Sequence, residues 1–418
     1  MTLKRMKHWL GMLALATWAA TSAAEVSVTN VVVHQRYPWN GMVDIDYEVV
    51  ADDPEADVWV CPNGVDADRG TMIPMLALSG DGANGAVKPG THRMTWNADA
   101  DAPEYHTRNF QVSMTAVVGA SLYLVVDLSG GPEAESYPVR HSGTGPDLAD
   151  DGCRTTNLWL RLVPPGTFTM GSPTNELGRL SDEKEHEVTL SEPFYLAIFE
   201  CTQKQYELVM GTNPSYFTNA TCYATRPVEK VSYNSLRGTL AGANWPAHRQ
   251  VDEESFFGKL RSRTALEFDL PTEAQWEYAC RAGTTTALNN GMNLTATNNC
   301  TNLSAVGRYQ GNRSSSGSAS STTDYGTAEV GSCLPNAWGF YDMHGNVWEW
   351  CLDRYASNLG TAAVTDPEGA SSNSNRVRRG GSWASDAQAC RSAYRNDPKS
   401  PSTANTSTGF RPALALPR

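Results

Sequence analysis

The 418-residue sequence predicts a multidomain protein: an all-β domain followed by an α+β domain poor in regular secondary structure. Three observations carry that expectation. Residues 26–126 alternate short β-rich runs with turns, residues 129–155 shift to Gly, Pro, Asp and Ser without an apolar period, and residues 156–418 hold only two segments with a clear helical pattern. At 40% apolar and 19% charged, the chain can bury a large core and exceeds what one ordinary domain needs.

In chain order, Lys4, Arg5 and Lys7 precede an uncharged stretch over residues 9–20, and the small residues Ser22, Ala23 and Ala24 follow. This is the layout of a signal peptide over residues 1–24, and it predicts export to the periplasm, the cell surface or the exterior. The apolar part is shorter than the roughly 20 residues a membrane span needs. No later segment is apolar enough to span. Removing the leader takes three of 33 basic residues and none of 45 acidic ones, so the net charge moves from −12 to −15. Such a chain repels phosphate, which argues against nucleic-acid and anionic-membrane partners and in favour of cations.

Residues 25–128 read as a β-sandwich. Runs at 26–33, 43–50, 57–60, 94–96, 110–117 and 122–126 are rich in β-branched and aromatic residues, and Gly80-Asp81-Gly82 and Lys88-Pro89-Gly90 mark turns between them. The spacing suggests an immunoglobulin or fibronectin type of sandwich, with no chemistry in it and a spacer or docking role. Residues 129–155 read as a linker. Beyond it, Thr202 caps a helix that stops at Gly211, and Thr272 with Gln275 forms a capping box for a second helix whose Trp276, Ala279 and Cys280 share one face. Residues 314–323 form a low-complexity surface loop. The long loops need something to hold them.

Nine cysteines lie beyond the leader, an odd count that permits several disulfides in an oxidising compartment and leaves at least one thiol over. No Cys-x-x-Cys pair supports a zinc or dithiol redox site. The segment at 339–351, Gly-Phe-Tyr-Asp-Met-His-Gly-Asn-Val-Trp-Glu-Trp-Cys, sets aromatics between oxygen donors at spacings that a simple amphipathic element does not produce. Asp342 and Glu349 supply carboxylates, and Gly345 lets the backbone turn so that carbonyls point inward, which suits a hard cation such as calcium. The alternative is that the two carboxylates cap a turn or pair with arginines.

Seven landmarks follow in order: residues 168–172, 213–217, 226–232, 270–283, 339–351, Arg379-Gly380-Gly381-Ser382-Trp383, and Gly409-Phe410-Arg411. Over roughly residues 158–414 the chain resembles the sulfatase-modifying-factor (formylglycine-generating enzyme) family. The resemblance implies a C-type-lectin-like α+β fold for residues 156–418, stabilised by calcium and in some members by disulfides. It implies calcium ligands in the side chains of Asp342 and Glu349 and the carbonyls of Gly345 and Val347, with a carboxylate at Asp342 where the best-known member has an amide. A second calcium site would involve Asn302, Leu303 and Asp324.

Members that oxidise a sulfatase cysteine with molecular oxygen hold a single Cu(I) between two cysteines, as soft thiolates suit that ion. The positions that match are Ser385 and Cys390, so half the pair is missing; a serine hydroxyl stays protonated at neutral pH and binds Cu(I) poorly. Cys390 can equally be a half-cystine, with Cys351 as partner, or a buried thiol. No substitute machinery is present: the eight histidines show no metal-ligand spacing, His344 reads as a loop residue, the Gly-Gly-Ser turn lacks the context of a phosphate loop, and Ser382 lacks that of a nucleophile. The sequence therefore points to an exported binding or accessory protein that presents a groove at Ser382, Trp383 and Ser385 to a peptide, a protein or a glycan. The alternatives are a copper oxidase of exported sulfatases that uses Cys390 with Cys351, and a structural envelope protein.

Overall fold

A computed structural model describes residues 26–37, 40–103, 106–239, 250–314, 324–395 and 398–416. The expected signal peptide and most of the low-complexity loop lie outside the described residues. Among them no helix is long and apolar enough to cross a membrane.

The N-terminal region forms two sheets. One runs in the order Val26–Gln35, Met42–Ala51, Gly90–Asn97, Leu78–Gly80, and the other in the order Thr71–Ile73, Val58–Asp66, Phe110–Val118. Strict alternation makes the sheets face each other: Val43, Ile45, Tyr47 and Val49 point inward and are buried, while Asp44, Asp46 and Glu48 point outward. Tyr47, Val49 and Met94 of the first sheet meet Val58 and Val60 of the second in one cluster.

The boundary falls earlier than the sequence suggests. Tyr123–Asp127, expected to close the sandwich, pairs instead with Asn157–Val163, with Val125 opposite Trp159 and Leu124 opposite Leu160. Residues 129–155, expected as a linker, supply the strand Val139–Ser142 and the short helix Gly152–Thr155. Tyr137 in that stretch is buried and donates its hydroxyl to the carbonyls of Gly131 and Leu208, both at 3.0 Å. The physical reason is visible in the strand itself: its first four residues are all buried, the mark of a central strand rather than of a half-exposed sandwich edge.

The second region is built on a six-stranded antiparallel sheet in the order Phe268–Asp269, Ala413–Ala415, Phe194–Ala197, Asn157–Val163, Tyr123–Asp127, Val139–Ser142. The expected helices form at Gln203–Met210 and Glu273–Arg281, each with the capping box at Thr202/Gln205 and Thr272/Gln275. Gly211 closes the first in the left-handed region, φ 76°, where a side chain is disfavoured. Every residue of Glu273–Arg281 is buried, so this helix lies inside the domain. A third helix, Phe256–Thr264, is capped by Ser255 and buries Phe256, Phe257 and Leu260 beside Phe410 and Trp350.

Candidate functional site

Three of the sequence landmarks meet in one small sheet. Trp348–Arg354 lies between Arg376–Arg379, which is antiparallel with Glu349 opposite Arg379, and Thr408–Gly409, which is parallel with Glu349 opposite Gly409. Glu349 is the hub. The Arg411 guanidinium donates to it at 2.8 to 3.2 Å and the Trp276 indole at 2.7 Å. Arg411 also donates to the carbonyls of Ala197, Ile198 and Tyr341, so one buried ion pair ties the six-stranded sheet, the central helix and the site segment together. Of the two sequence readings of Glu349, pairing with an arginine is the one the geometry displays.

Two further carboxylates sit close by. Glu200 is fully buried and accepts from the Asn346 side chain at 2.6 Å and the Val347 amide at 3.0 Å. Asp342, 2% exposed and in the left-handed region at φ 58°, accepts from the Gly331 amide at 2.7 Å through Oδ2, while its Oδ1 has no partner. Burial pushes the Asp342 carboxyl up to about 6. Glu200 is pushed well up by burial, reinforced by the charges of Asp342 and Glu349. Three buried carboxylates thus share the Arg411 guanidinium, with Arg154 acting more weakly on Asp342, an arrangement that costs free energy until a cation or protons balance it. Among the described residues no group of three acidic, histidine or cysteine side chains is placed to hold a metal ion, and Glu349 is held by Arg411. Gly345 has φ 91°, and a Cβ there would lie 2.0 Å from the Arg308 carbonyl, so the turn admits only glycine.

The second pair of expected ligands is braced internally. The Asn302 side chain donates to the Asn293 carbonyl at 2.9 Å and its own carbonyl accepts from Asn290 at 3.1 Å, while the Leu303 carbonyl accepts from the Val306 amide at 3.0 Å. The Asp324 carbonyl accepts from the Ser314 amide at 3.0 Å.

Ser382 and Ser385 form a closed pair. Their hydroxyls lie 3.0 Å apart, the Ser382 amide donates to Ser385 Oγ at 3.1 Å, and the Ser385 carbonyl accepts from the Gln310 amide at 3.0 Å. Cys390 is fully buried and its thiol is pushed up to about 12 by burial. The Gly-Gly-Ser turn exists for this packing: a Cβ on Gly381 would lie 2.6 Å from Cys390 Sγ, and one on Gly380 would lie 3.1 Å from the Trp276 ring. All nine cysteines are free thiols, so the expected Cys351–Cys390 disulfide does not form. Cys351 faces the cluster around Trp276 and Val377, whereas Cys390 packs with Leu288, Val306 and Tyr309, and the two sulfurs belong to different cores. His344 lies in a short strand rather than a loop; its Nδ1 meets the Cys390 carbonyl at 2.6 Å, its Nε2 accepts from the Asn289 amide at 3.0 Å, and burial lowers its pKa to about 4.

Trp383 turns away from this core toward a small aromatic cluster. Its amide donates to the Asn346 carbonyl at 2.8 Å and its indole to the Thr406 carbonyl at 2.9 Å. Phe217 and Tyr325 meet it edge-on at 5.1 and 5.8 Å. The neighbouring Tyr216 is 53% exposed. Tyr216 and Phe217 are held by their amides, which both donate to one oxygen of Glu229, a carboxyl that burial pushes up to about 7. By contrast Trp348 and Trp350 are buried against Arg378.

Sequence reasoning singled out neither Glu200 nor Arg411 as a site residue, and it missed Phe217, Tyr325 and Arg313 as partners of Trp383. A lone carboxylate inside the apolar run 194–201 is the signal that would have found Glu200.

A family model described as the sulfatase-modifying factor enzyme 1-like domain matches residues 146–416. The chain is 27% identical over 283 residues to the formylglycine-generating enzyme of Mus musculus, covering 60% of this chain and 73% of that one. It is 29% identical over 263 residues to a protein named chaperone protein LppX of Paenibacillus barcinonensis, covering 58% and 85%. Among solved structures, Treponema denticola variable protein 1 superposes with a TM-score of 0.50 at 27% identity, covering 62% of this chain and 96% of that one. The likeness extends the C-type-lectin-like fold, mostly sheet with few helices, over that share of the molecule.

Proposed function

From the premise that the chain belongs to the sulfatase-modifying factor enzyme 1-like domain family, we propose that it is an exported binding or accessory protein, stabilised by calcium and without cysteine-oxidase activity. One observation carries the reading. Where catalytic members would hold Cu(I) between two thiolates, this chain has the Ser385 hydroxyl closed against Ser382 and a Cys390 thiol that is buried and hard to ionise. That donor set does not fit a monovalent copper ion. The oxidase alternative needs a second thiol beside Cys390, and Cys351 lies in a different core cluster.

Calcium fits the residues better. The unpartnered Asp342 Oδ1 and the neighbouring Glu200 offer hard oxygen donors in a region short of positive charge, and the Gly345 and Val347 carbonyls flank them in sequence. Asp342, Glu200 and those carbonyls would hold the ion, with Glu349 beside it on Arg411. The ion would supply charge balance and rigidity to the turn that carries Trp383. In this reading the N-terminal sheets form an immunoglobulin-type sandwich that spaces or docks the domain, and the surface beside Trp383 and Ser385, beneath which Ser382 is buried, takes a peptide or protein ligand. The test is a Cu(I) titration of the mature chain alongside ligand retention on peptide arrays. The proposal expects no stoichiometric copper site that Cys390→Ala removes, and ligand retention weakened by calcium chelators but not by copper chelators. A one-equivalent copper site lost in Cys390→Ala would overturn it.

A further inference from the structure

The charge distribution around Trp383 is the reverse of the chain as a whole. Acidic residues outnumber basic ones 45 to 33. The buried guanidinium groups of Arg237, Arg379, Arg391, Arg395 and Arg411 each pair with a carboxylate. Arg313 does not. Its guanidinium lies 5.1 Å from the Trp383 ring centre and 5.7 Å from that of Tyr325. Nη1 donates to the Ser314 carbonyl at 3.1 Å, and Nε is buried without any acceptor. Arg308 alongside donates to the carbonyls of Asn312, Asp324 and Gly326. Its pKa is lowered by burial and by the nearby charges of Arg226 and Arg313, against the opposing pull of Asp324. Arg226 stands 6.0 Å from the Phe217 ring. Three guanidinium groups therefore stand close together beside the aromatic cluster, with Asp324 acting on Arg308 and Glu229 on Arg226.

We propose that Arg313, fixed between Trp383 and Tyr325, receives a carboxylate of an acidic peptide segment of a partner protein. The proposal rests on the reading of this surface as a ligand site and names the ligand's chemistry. Stacking on two rings holds the guanidinium in place before the ligand arrives, so little side-chain entropy is lost on binding. The fork geometry of a guanidinium suits a carboxylate through paired charge-assisted hydrogen bonds. A polyanion is disfavoured by the net charge of the rest of the chain. A sugar ring is disfavoured too, because Trp383 is 8% exposed and its ring is already engaged by Arg313, Phe217 and Tyr325, which leaves no bare platform. The proposal also separates this surface from one that would seat the arginine of a Cys-x-Pro-x-Arg segment, which the Arg313 guanidinium would repel.

The experiment uses the mature full-length chain on an array of short synthetic peptides. Glu- and Asp-containing sequences each stand beside their Gln and Asn counterparts, with Cys-x-Pro-x-Arg peptides and uronate oligosaccharides on the same surface. The expected result is retention of acidic peptides, loss on amidation, and weakening with added salt. Arg313→Gln lowers the affinity for the retained peptides by about tenfold, and Arg313→Lys, which keeps charge without the fork, falls between. Thermal melts of both variants that match the parent show that the fold is intact. Equal retention of the Glu and Gln forms, or indifference to Arg313→Gln, overturns the carboxylate assignment and leaves the binding surface standing. Preference for the uronate or for the Cys-x-Pro-x-Arg peptide overturns the choice of an acidic peptide. If nothing on the array is retained, the binding surface itself fails and this proposal fails with it.

Discussion

Replacing Asp342 by asparagine isolates the charge imbalance at the heart of the domain. Burial moves this carboxyl from the ordinary aspartate value of 3.8 to about 6, so its ionised form costs about 3 kcal/mol at pH 8 when no cation is present. Because the folded pKa lies above the unfolded one, the protonated group's contribution is complete below about 3.8 and is lost as the pH rises through about 6. Glu200 moves in the same direction for the same reason. In a calcium chelator, Asp342→Asn should therefore be more stable than the parent at pH 8 by up to about 3 kcal/mol, and the advantage should vanish by about pH 4. An amide keeps an acceptor for the Gly331 amide and places its donor where Oδ1 now stands alone. With calcium added the order should invert at pH 8, since the ion favours the ionised carboxylate and stabilises the parent by mass action. Urea unfolding at several pH values, with chelator and with calcium, measures all of this. A variant less stable than the parent by the same amount at every pH, in a protein whose unfolding calcium does not shift, would refute the reasoning.

Other consequences are more local. Arg411→Met should destabilise the domain by about 3 to 5 kcal/mol, because it strands the Glu349 carboxylate in the core, and Glu349→Gln in the same chain should recover part of the loss in denaturant unfolding. Gly381→Ala should cost about 1 to 3 kcal/mol, from the clash of its Cβ with Cys390 Sγ and the Ala389 carbonyl and from φ 77°, and Cys390→Ala should relieve only the contact with Sγ. In the native protein a thiol reagent should label Cys333 first, as it is the half-exposed cysteine among nine; rapid labelling of Cys390 would contradict its burial.

The sequence made the second domain legible where local rules decide the outcome. The helix cap at Thr202 and the capping box at Thr272 are short-range and formed as expected, and Gly345 was read as the residue that lets the site segment turn, where a Cβ would strike the Arg308 carbonyl. The partner of Glu349 was not legible, because the choice between a metal and an arginine depends on Arg411, 62 residues away, entering just beyond the parallel strand Thr408–Gly409. The domain boundary failed for a related reason. Tyr123–Asp127 has the apolar run of either a sandwich strand or a central strand, and only its pairing with Asn157–Val163 tells them apart. The disulfide expectation rested on cysteine count and compartment, which do not reveal that Cys351 and Cys390 pack into separate clusters.

The central claim is that this surface holds a partner rather than oxidising it. Co-expression with a sulfatase in a host without its own sulfatase-maturation system, followed by mass spectrometry of the sulfatase active-site peptide, tests it most directly. The account predicts that the cysteine is recovered unchanged. Recovery of the aldehyde, dependent on Cys390, would contradict it.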